Sequence, residues 1–256
     1  MTARTTAAAV ALLGVVVLAV GIALDPARSA RAWQWCWLWA TGVGMGGLTL
    51  LFVSHAAPVG WLAGLRRPLA GLGVAVPLLA PGFLALAVPD LWTPGAGVGR
   101  VVRGAAALVV GSALALAARA WATRDDPGAV RRLQRWSGPG LAVVAVCWTT
   151  LAVDWGMGVG VAWTSHAEGV RWFAQGTLGA LAVAVLVALG SERTGRLPRL
   201  PVDVYHAAGR LLLGFVMLWA YLVFCELFVP GSPTCRATPP TSTRACTGRA
   251  GCPCGG

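Results

Sequence analysis

Trp172–Gly190 reads WFAQGTLGALAVAVLVALG, nineteen residues without a charge, bracketed by Arg171 on one side and by Glu192 and Arg193 on the other. At ~1.5 Å per residue such a run extends about 28 Å as a helix, close to the ~30 Å of a bilayer's hydrocarbon layer. The same pattern recurs at Ala7–Leu24, Trp33–Ser54, Leu69–Val88, Gly104–Ala122, Gly140–Trp163 and Leu211–Val229. The sequence therefore predicts an all-α polytopic transmembrane helix bundle of about seven spans over residues 1–229. A composition of 57% hydrophobic and 11% charged residues excludes a water-soluble globule. Ala7–Leu24 is longer than the usual apolar region of a cleaved signal peptide and lacks a small-x-small site after it, so a retained helix is the preferred reading.

The net charge of +11 comes from 20 arginines and no lysine, set against nine acidic residues. Seventeen of these arginines lie between or at the edges of the apolar runs, and alternate gaps differ: one, two, five (counting Arg119 near the end of the fourth run) and four against two, two and one. By the positive-inside rule the N-terminus and the arginine-rich loops are expected in the cytoplasm of a cell with an inner (plasma) membrane. Nucleic-acid binding would need the basic residues on one soluble face beside aromatic or polar readers, and no segment offers that.

Within the spans, Gly42, Gly44, Gly46 and Gly47 form a small-residue strip that invites a close neighbour. Pro77 and Pro81 should kink the third span. Trp33, Trp35, Trp37 and Trp39 read as an interfacial belt in preference to a ring-stacking cluster for a quinone. Ser137-Gly138-Pro139-Gly140 predicts a break between a basic amphipathic stretch, Val130–Trp136, and the fifth span. From Pro230 to Gly256 the chain carries four Cys, five Pro, five Gly and five Thr without one Leu, Val, Ile, Met or aromatic residue, which cannot bury a core and reads as a disordered tail.

Few groups carry chemistry. There is no Cys-x-x-Cys-His for covalent haem, and His55, His166 and His206 are too few and too scattered for paired haem ligands. Neither a phosphate-binding glycine loop nor a nucleophile elbow is present. Cys235, Cys246, Cys252 and Cys254 fit no zinc-knuckle spacing, so no metal is assigned. Cys36, Cys147 and Cys225 read as small packing residues. Asp154 in the fifth span and Glu226 in the seventh stand out, because an ionisable group inside a bilayer is costly and is by default a functional candidate. Both should lie at similar depth, about 21 Å beyond Gly140 and about 22 Å beyond Leu211. Cys147, Thr150, Asp154 and Gly158 share one helix face, which should point into the bundle, and Arg171 is the expected cation if Asp154 is only anchored.

Phe215-Val216-Met217-Leu218-Trp219-Ala220-Tyr221-Leu222 after Leu211-Leu212-Leu213, and Arg131-Arg132-Leu133 with Ser137-Gly138-Pro139-Gly140, are motifs in which the chain resembles the second quinone-binding membrane subunit of alternative complex III, in the NrfD-like group. Val153-Asp154-Trp155, Met157, Trp163, Ser165 and Gln175-Gly176 extend the resemblance, as do Leu50-Leu51, His55, Trp61, Arg66-Arg67, Pro77 and Asp25-Pro26. It covers nearly everything from Asp25 to Phe228. The chain departs from the family pattern where Ser54 precedes His55 in place of a His pair, and where Gly160, Val161 and Ala162 replace a Glu-Pro-His run. Arg210 and Glu226 stand where the family tends to Asn and Gln.

The resemblance implies a membrane subunit of a respiratory quinol:cytochrome c oxidoreductase, without a redox cofactor of its own. Its partners would be an NrfD-like quinol-site subunit, an iron–sulfur subunit and c-type cytochromes, which hold the haem c and the clusters, within the lipid bilayer. Quinone contact and a proton pathway through Asp154, Glu226, His55 and Thr150 are the expected contributions. Family members continue for about three further spans, so residues 230–256 are expected to be out of frame, the chain being truncated or frameshifted near residue 230. Two rivals are a purely structural membrane subunit and a small secondary transporter, the latter calling for an internal repeat that is not evident here.

Overall fold

The structure is a computed structural model that describes residues 3–56, 64–91, 97–124, 126–156, 168–195 and 199–228. Among the described residues the secondary structure is helical and contains no strand. The helices are α1 (Ala3–Leu24), α2 (Pro26–Ala56), α3 (Arg66–Gly73), α4 (Ala75–Leu79), α5 (Gly82–Leu91), α6 (Gly97–Ala122), α7 (Pro127–Leu151), α8 (Glu168–Arg193) and α9 (Val202–Phe228). A π-helical turn, Ala152–Gly156, continues α7. Residues 230–256 lie outside the described residues, as do Met157, Gly158, Trp163, Ser165 and the side chain of Glu226.

Among the described residues five helices are long and apolar enough to cross a membrane: Pro26–Ala56, Gly97–Ala122, Pro127–Gly156, Gly169–Arg193 and Val202–Cys225. The protein is an all-α, membrane-embedded helix bundle. Of the seven apolar runs, the first forms α1 and the third is not one helix but three. Pro77 has no N–H for the Gly73 carbonyl and Pro81 none for the Pro77 carbonyl, and the chain turns about one helical turn ahead of Pro77 and again beside Pro81. At the first turn the Val74 N–H donates to Gly71 O at 3.2 Å; at the second, the Phe83 N–H donates to Ala80 O at 3.1 Å.

α2 is the axis of the bundle. Every residue from Thr41 to Phe52 is buried, so no side of this segment faces lipid. In a bilayer, helices gain little from hiding apolar surface and associate by close packing. The glycines supply it, though not as one strip. Gly42 and Gly46 lie against α8, where a Cβ on Gly46 would run into the carbonyl of Gly176. Gly44 and Gly47 face the other way, where a Cβ would meet Val76 Cγ2 at 2.9 Å and Leu72 Cβ at 2.8 Å. The strip is thus two, serving helices on opposite sides of α2.

The break expected at Ser137–Gly140 does not occur; α7 runs without interruption from Pro127 to Leu151, with Pro139 inside it. Its start is fixed by Asp126, whose carboxylate accepts from the Ala129 N–H at 3.2 Å, with Pro127 at the first helical position. Ala129, Leu133, Ser137, Gly140, Val144 and Cys147 are buried at spacings of three and four, a single stripe passing straight through the proline. Ser137 donates its hydroxyl to Leu133 O at 2.7 Å, and Gly140 makes room for the ring of Phe52. Inside a bundle these contacts hold the helix across one missing backbone bond.

Candidate functional site at the Asp154 end of the bundle

The π turn after α7 widens the helix by one residue and places Asp154 and Trp155 on it. Asp154 faces the start of α6. Its carboxylate accepts two bonds from Arg103, from Nε to Oδ2 and from Nη2 to Oδ1, each 2.9 Å, in a parallel fork. The Asp154 side chain is 14% exposed and that of Arg103 59%, so the pair sits at the bundle's surface with its acid turned inward. Gly104 is what lets α6 come this near: a Cβ there would meet Trp155 Nε1 at 2.7 Å and Phe83 Cζ at 2.8 Å.

Around this pair the aromatic residues interlock. Trp155 meets Phe83 edge-on with centroids 4.9 Å apart, and Phe83 in turn lies 5.7 Å from Trp37. The Arg100 guanidinium stands 4.9 Å over the Trp155 ring. Gln34 of α2 donates from Nε2 to Trp155 O at 2.8 Å, tying the π turn to the central helix. Trp37 Nε1 donates to Leu79 O at 2.8 Å, a carbonyl left over because the Phe83 N–H bonds Ala80 beside Pro81. Trp33 Nε1 reaches Gly82 O at 3.3 Å.

The four tryptophans of α2 therefore divide. Trp33 and Trp37, one helical turn apart, point into the broken third span, whereas Trp35 and Trp39 are 43% and 49% exposed. Trp35 stacks on Trp172 of α8 at 5.5 Å. Of the four, only Trp35 and Trp39 lie at the surface, as an interfacial belt requires; Trp33 and Trp37 are packing and hydrogen-bonding residues, because a helix repeats every 3.6 residues and alternate positions cannot share one face.

Below the ion pair, the facing sides of α6 and α7 leave an open apolar groove of about 530 Å³, with Arg103 at its head and Ala106, Ala107, Val110, Ala142, Val143, Val146, Cys147 and Thr150 along it. Cys147 and Thr150 line this groove and Asp154 pairs with Arg103 at its head, so this side of α7 looks toward α6 along a groove open at the bundle's surface, where the sequence suggests a face pointing into the bundle. The Thr150 hydroxyl donates to Val146 O at 2.9 Å.

His55 is not part of this constellation. It lies near the far end of α2, 21 residues beyond Gln34, or about 31 Å along the helix. There its Nδ1 is 2.8 Å from Leu51 O and 2.9 Å from the Ser54 hydroxyl; since a carbonyl only accepts, Nδ1 carries the proton and Nε2 is left as the ring's acceptor. Glu226 is placed only by its backbone, near the end of α9. The cation that answers Asp154 is Arg103, where Arg171 is the one the sequence suggests; the Arg171 guanidinium lies 6.0 Å from the Trp172 ring.

Sequence alone does not single out Arg103, Arg100 and Gln34 as site residues. Arg103 directly precedes the expected fourth span and has the look of a loop charge. A signal for it exists nonetheless, since helices that run in opposite directions bring the residue before Gly104 to the level of one about 21 Å beyond Gly140. Among the described residues no group of three or more His, Cys, Asp or Glu is arranged to hold a metal ion. No protein-family model matches this chain, and no curated sequence matches it either.

Proposed function

We propose that the chain is an inner-membrane subunit of a quinol-oxidising electron-transfer complex, with its N-terminus in the cytoplasm and no redox centre of its own. The observation that carries this reading is the Arg103–Asp154 pair at the head of a groove open to the membrane. The motif resemblance to a membrane subunit of alternative complex III supplies the class of complex. In this reading Asp154 takes a proton released when quinol is oxidised and passes it to water at the outer headgroup layer. Arg103 pairs with the carboxylate until then and, being more than half exposed, can swing off it. The electrons move through the partner subunits' iron–sulfur clusters and haem c. Thr150, one turn deeper on the same face, extends the polar edge of the route; His55, some 31 Å away along α2, would serve a separate step on the cytoplasmic side.

Asp154→Asn keeps the shape and removes the titrating group. Quinol-dependent turnover of the assembled complex should fall at least tenfold while subunit content stays intact. Unchanged turnover would reduce Asp154 to an anchor of the π turn. That outcome favours a second reading, a subunit that only scaffolds the membrane arm, which the all-round burial of α2 suits equally well.

A further inference from the structure

A small cavity lies between α2, α7 and α8. Thr41, halfway along α2, lines it with Trp148 of α7 and Trp172 of α8, and Met45 and Leu151 are among its apolar walls. Thr41 and Trp148 are only 2% and 6% exposed, yet the Thr41 hydroxyl and the Trp148 indole N–H have no hydrogen-bond partner among the described residues. The other buried threonines behave differently: Thr49 donates to Met45 O at 3.0 Å and Thr177 to Phe173 O at 2.8 Å, each four residues back along its own helix. Two unsatisfied polar groups on one cavity, halfway along the central helix of a membrane bundle, are costly because hydrocarbon offers them nothing to bond.

We propose that this cavity is a binding site for one water molecule, which bridges the Trp148 indole and the Thr41 hydroxyl. Size selects the occupant: the cavity volume is about 20 Å³, above the ~10–15 Å³ that admits a single water and too little for a ligand of several atoms. Chemistry agrees with size. An indole N–H only donates, whereas a hydroxyl both donates and accepts, so one water can accept from Trp148 Nε1 and donate to Thr41 Oγ1, and both groups are satisfied at once. Glycines bring the two together: a Cβ on Gly42, the residue after Thr41, would meet Trp148 Cη2 at 3.4 Å and Cζ2, on the nitrogen side of the ring, at 3.9 Å. Trp148 and Leu151 face this cavity, while Cys147 and Thr150 face the groove toward α6. The water site therefore occupies a separate face of α7 from the Arg103–Asp154 groove and does not rest on the quinol reading.

Solid-state NMR of the full-length chain in bilayers, with indole ¹⁵N labels and polarisation transferred from water, reads the site directly. The resonance that disappears in Trp148→Phe should receive polarisation from a slowly exchanging water, and its failure to do so in the parent chain overturns the proposal. Thr41→Val keeps the side-chain shape and deletes the hydroxyl. It should abolish that transfer, and by stranding the indole it should raise the unfolding equilibrium constant in detergent about tenfold. Thr41→Ser, which retains the hydroxyl, should keep the transfer. A dry, unpaired hydroxyl gives the opposite sign, because Thr41→Val would then remove a costly group at constant shape. Unchanged or increased stability of Thr41→Val, or a water signal at Trp148 that survives the substitution, would each overturn the shared site.

Discussion

Asp154 illustrates how a residue legible in the sequence can still be misjudged in its partner. A carboxylate in an apolar run announces itself, because hydrocarbon penalises charge; which cation answers it depends on helix adjacency that no local pattern encodes. The bidentate fork also separates arginine from lysine at position 103. Arg103→Lys retains the charge but can make only a point contact, so it should lower thermal stability in detergent by less than Arg103→Gln, which leaves the acid alone. Adding Asp154→Asn to Arg103→Gln should recover part of the loss, and a strictly additive double variant would show that the pair is not coupled. Trp37 offers a test from another direction. Trp37→Phe keeps most of the ring and strands Leu79 O, which should cost about 1–3 kcal/mol in the unfolding free energy; an unaltered midpoint would mean that the carbonyl finds another donor.

At the scale of elements, the long apolar runs were readable because the bilayer imposes their length, while the behaviour of proline within them was not. Pro77 and Pro81 divide the third span, yet Pro139 leaves α7 whole. The difference lies in the neighbours. Around Pro139 the buried stripe keeps helical spacing on both sides, with Ser137 and Gly140 seated against the bundle; beside Pro81, Trp37 supplies a substitute donor to a carbonyl the bent backbone abandons. Cysteine scanning from residue 131 to 146 should accordingly give one uninterrupted period of protection, lowest in labelling at 133, 137, 140 and 144. A shift of phase at 138–140 would restore the break. Glycine spacing on α2 was likewise visible, but that Gly44 and Gly47 turn away from Gly42 and Gly46 follows only once α3, α4 and α8 are in place. Gly46→Ala presses a methyl into backbone that cannot rotate aside, and should destabilise by about 1–3 kcal/mol or separate α2 from α8. The matching change at Gly71, where a Cβ meets nothing within 4 Å, should be silent.

For the whole molecule, fold class followed from composition and run length alone, whereas the number of continuous crossing helices did not, since it depends on how broken segments such as α3–α5 settle. Orientation is the prediction that belongs to this scale. A reporter fused after Arg135 should read cytoplasmic, because the arginine-rich gaps alternate with poor ones; a periplasmic reading inverts the assignment and moves Asp154 to the other side of the membrane. The glycine contact between α2 and α8 also has a consequence in time. Gly46 and Gly176 touch although 130 residues of chain separate them. At a synthesis rate of ~5–20 residues per second, α2 emerges from the ribosome roughly 7–26 s before its main partner exists. During that interval its paired glycine faces, which have no lipid-facing side in the finished bundle, are open to whatever membrane helix comes first. Nascent chains arrested near residue 166 should therefore crosslink from position 46 to insertion machinery or to foreign helices, and chains arrested past residue 200 should crosslink to α8 instead.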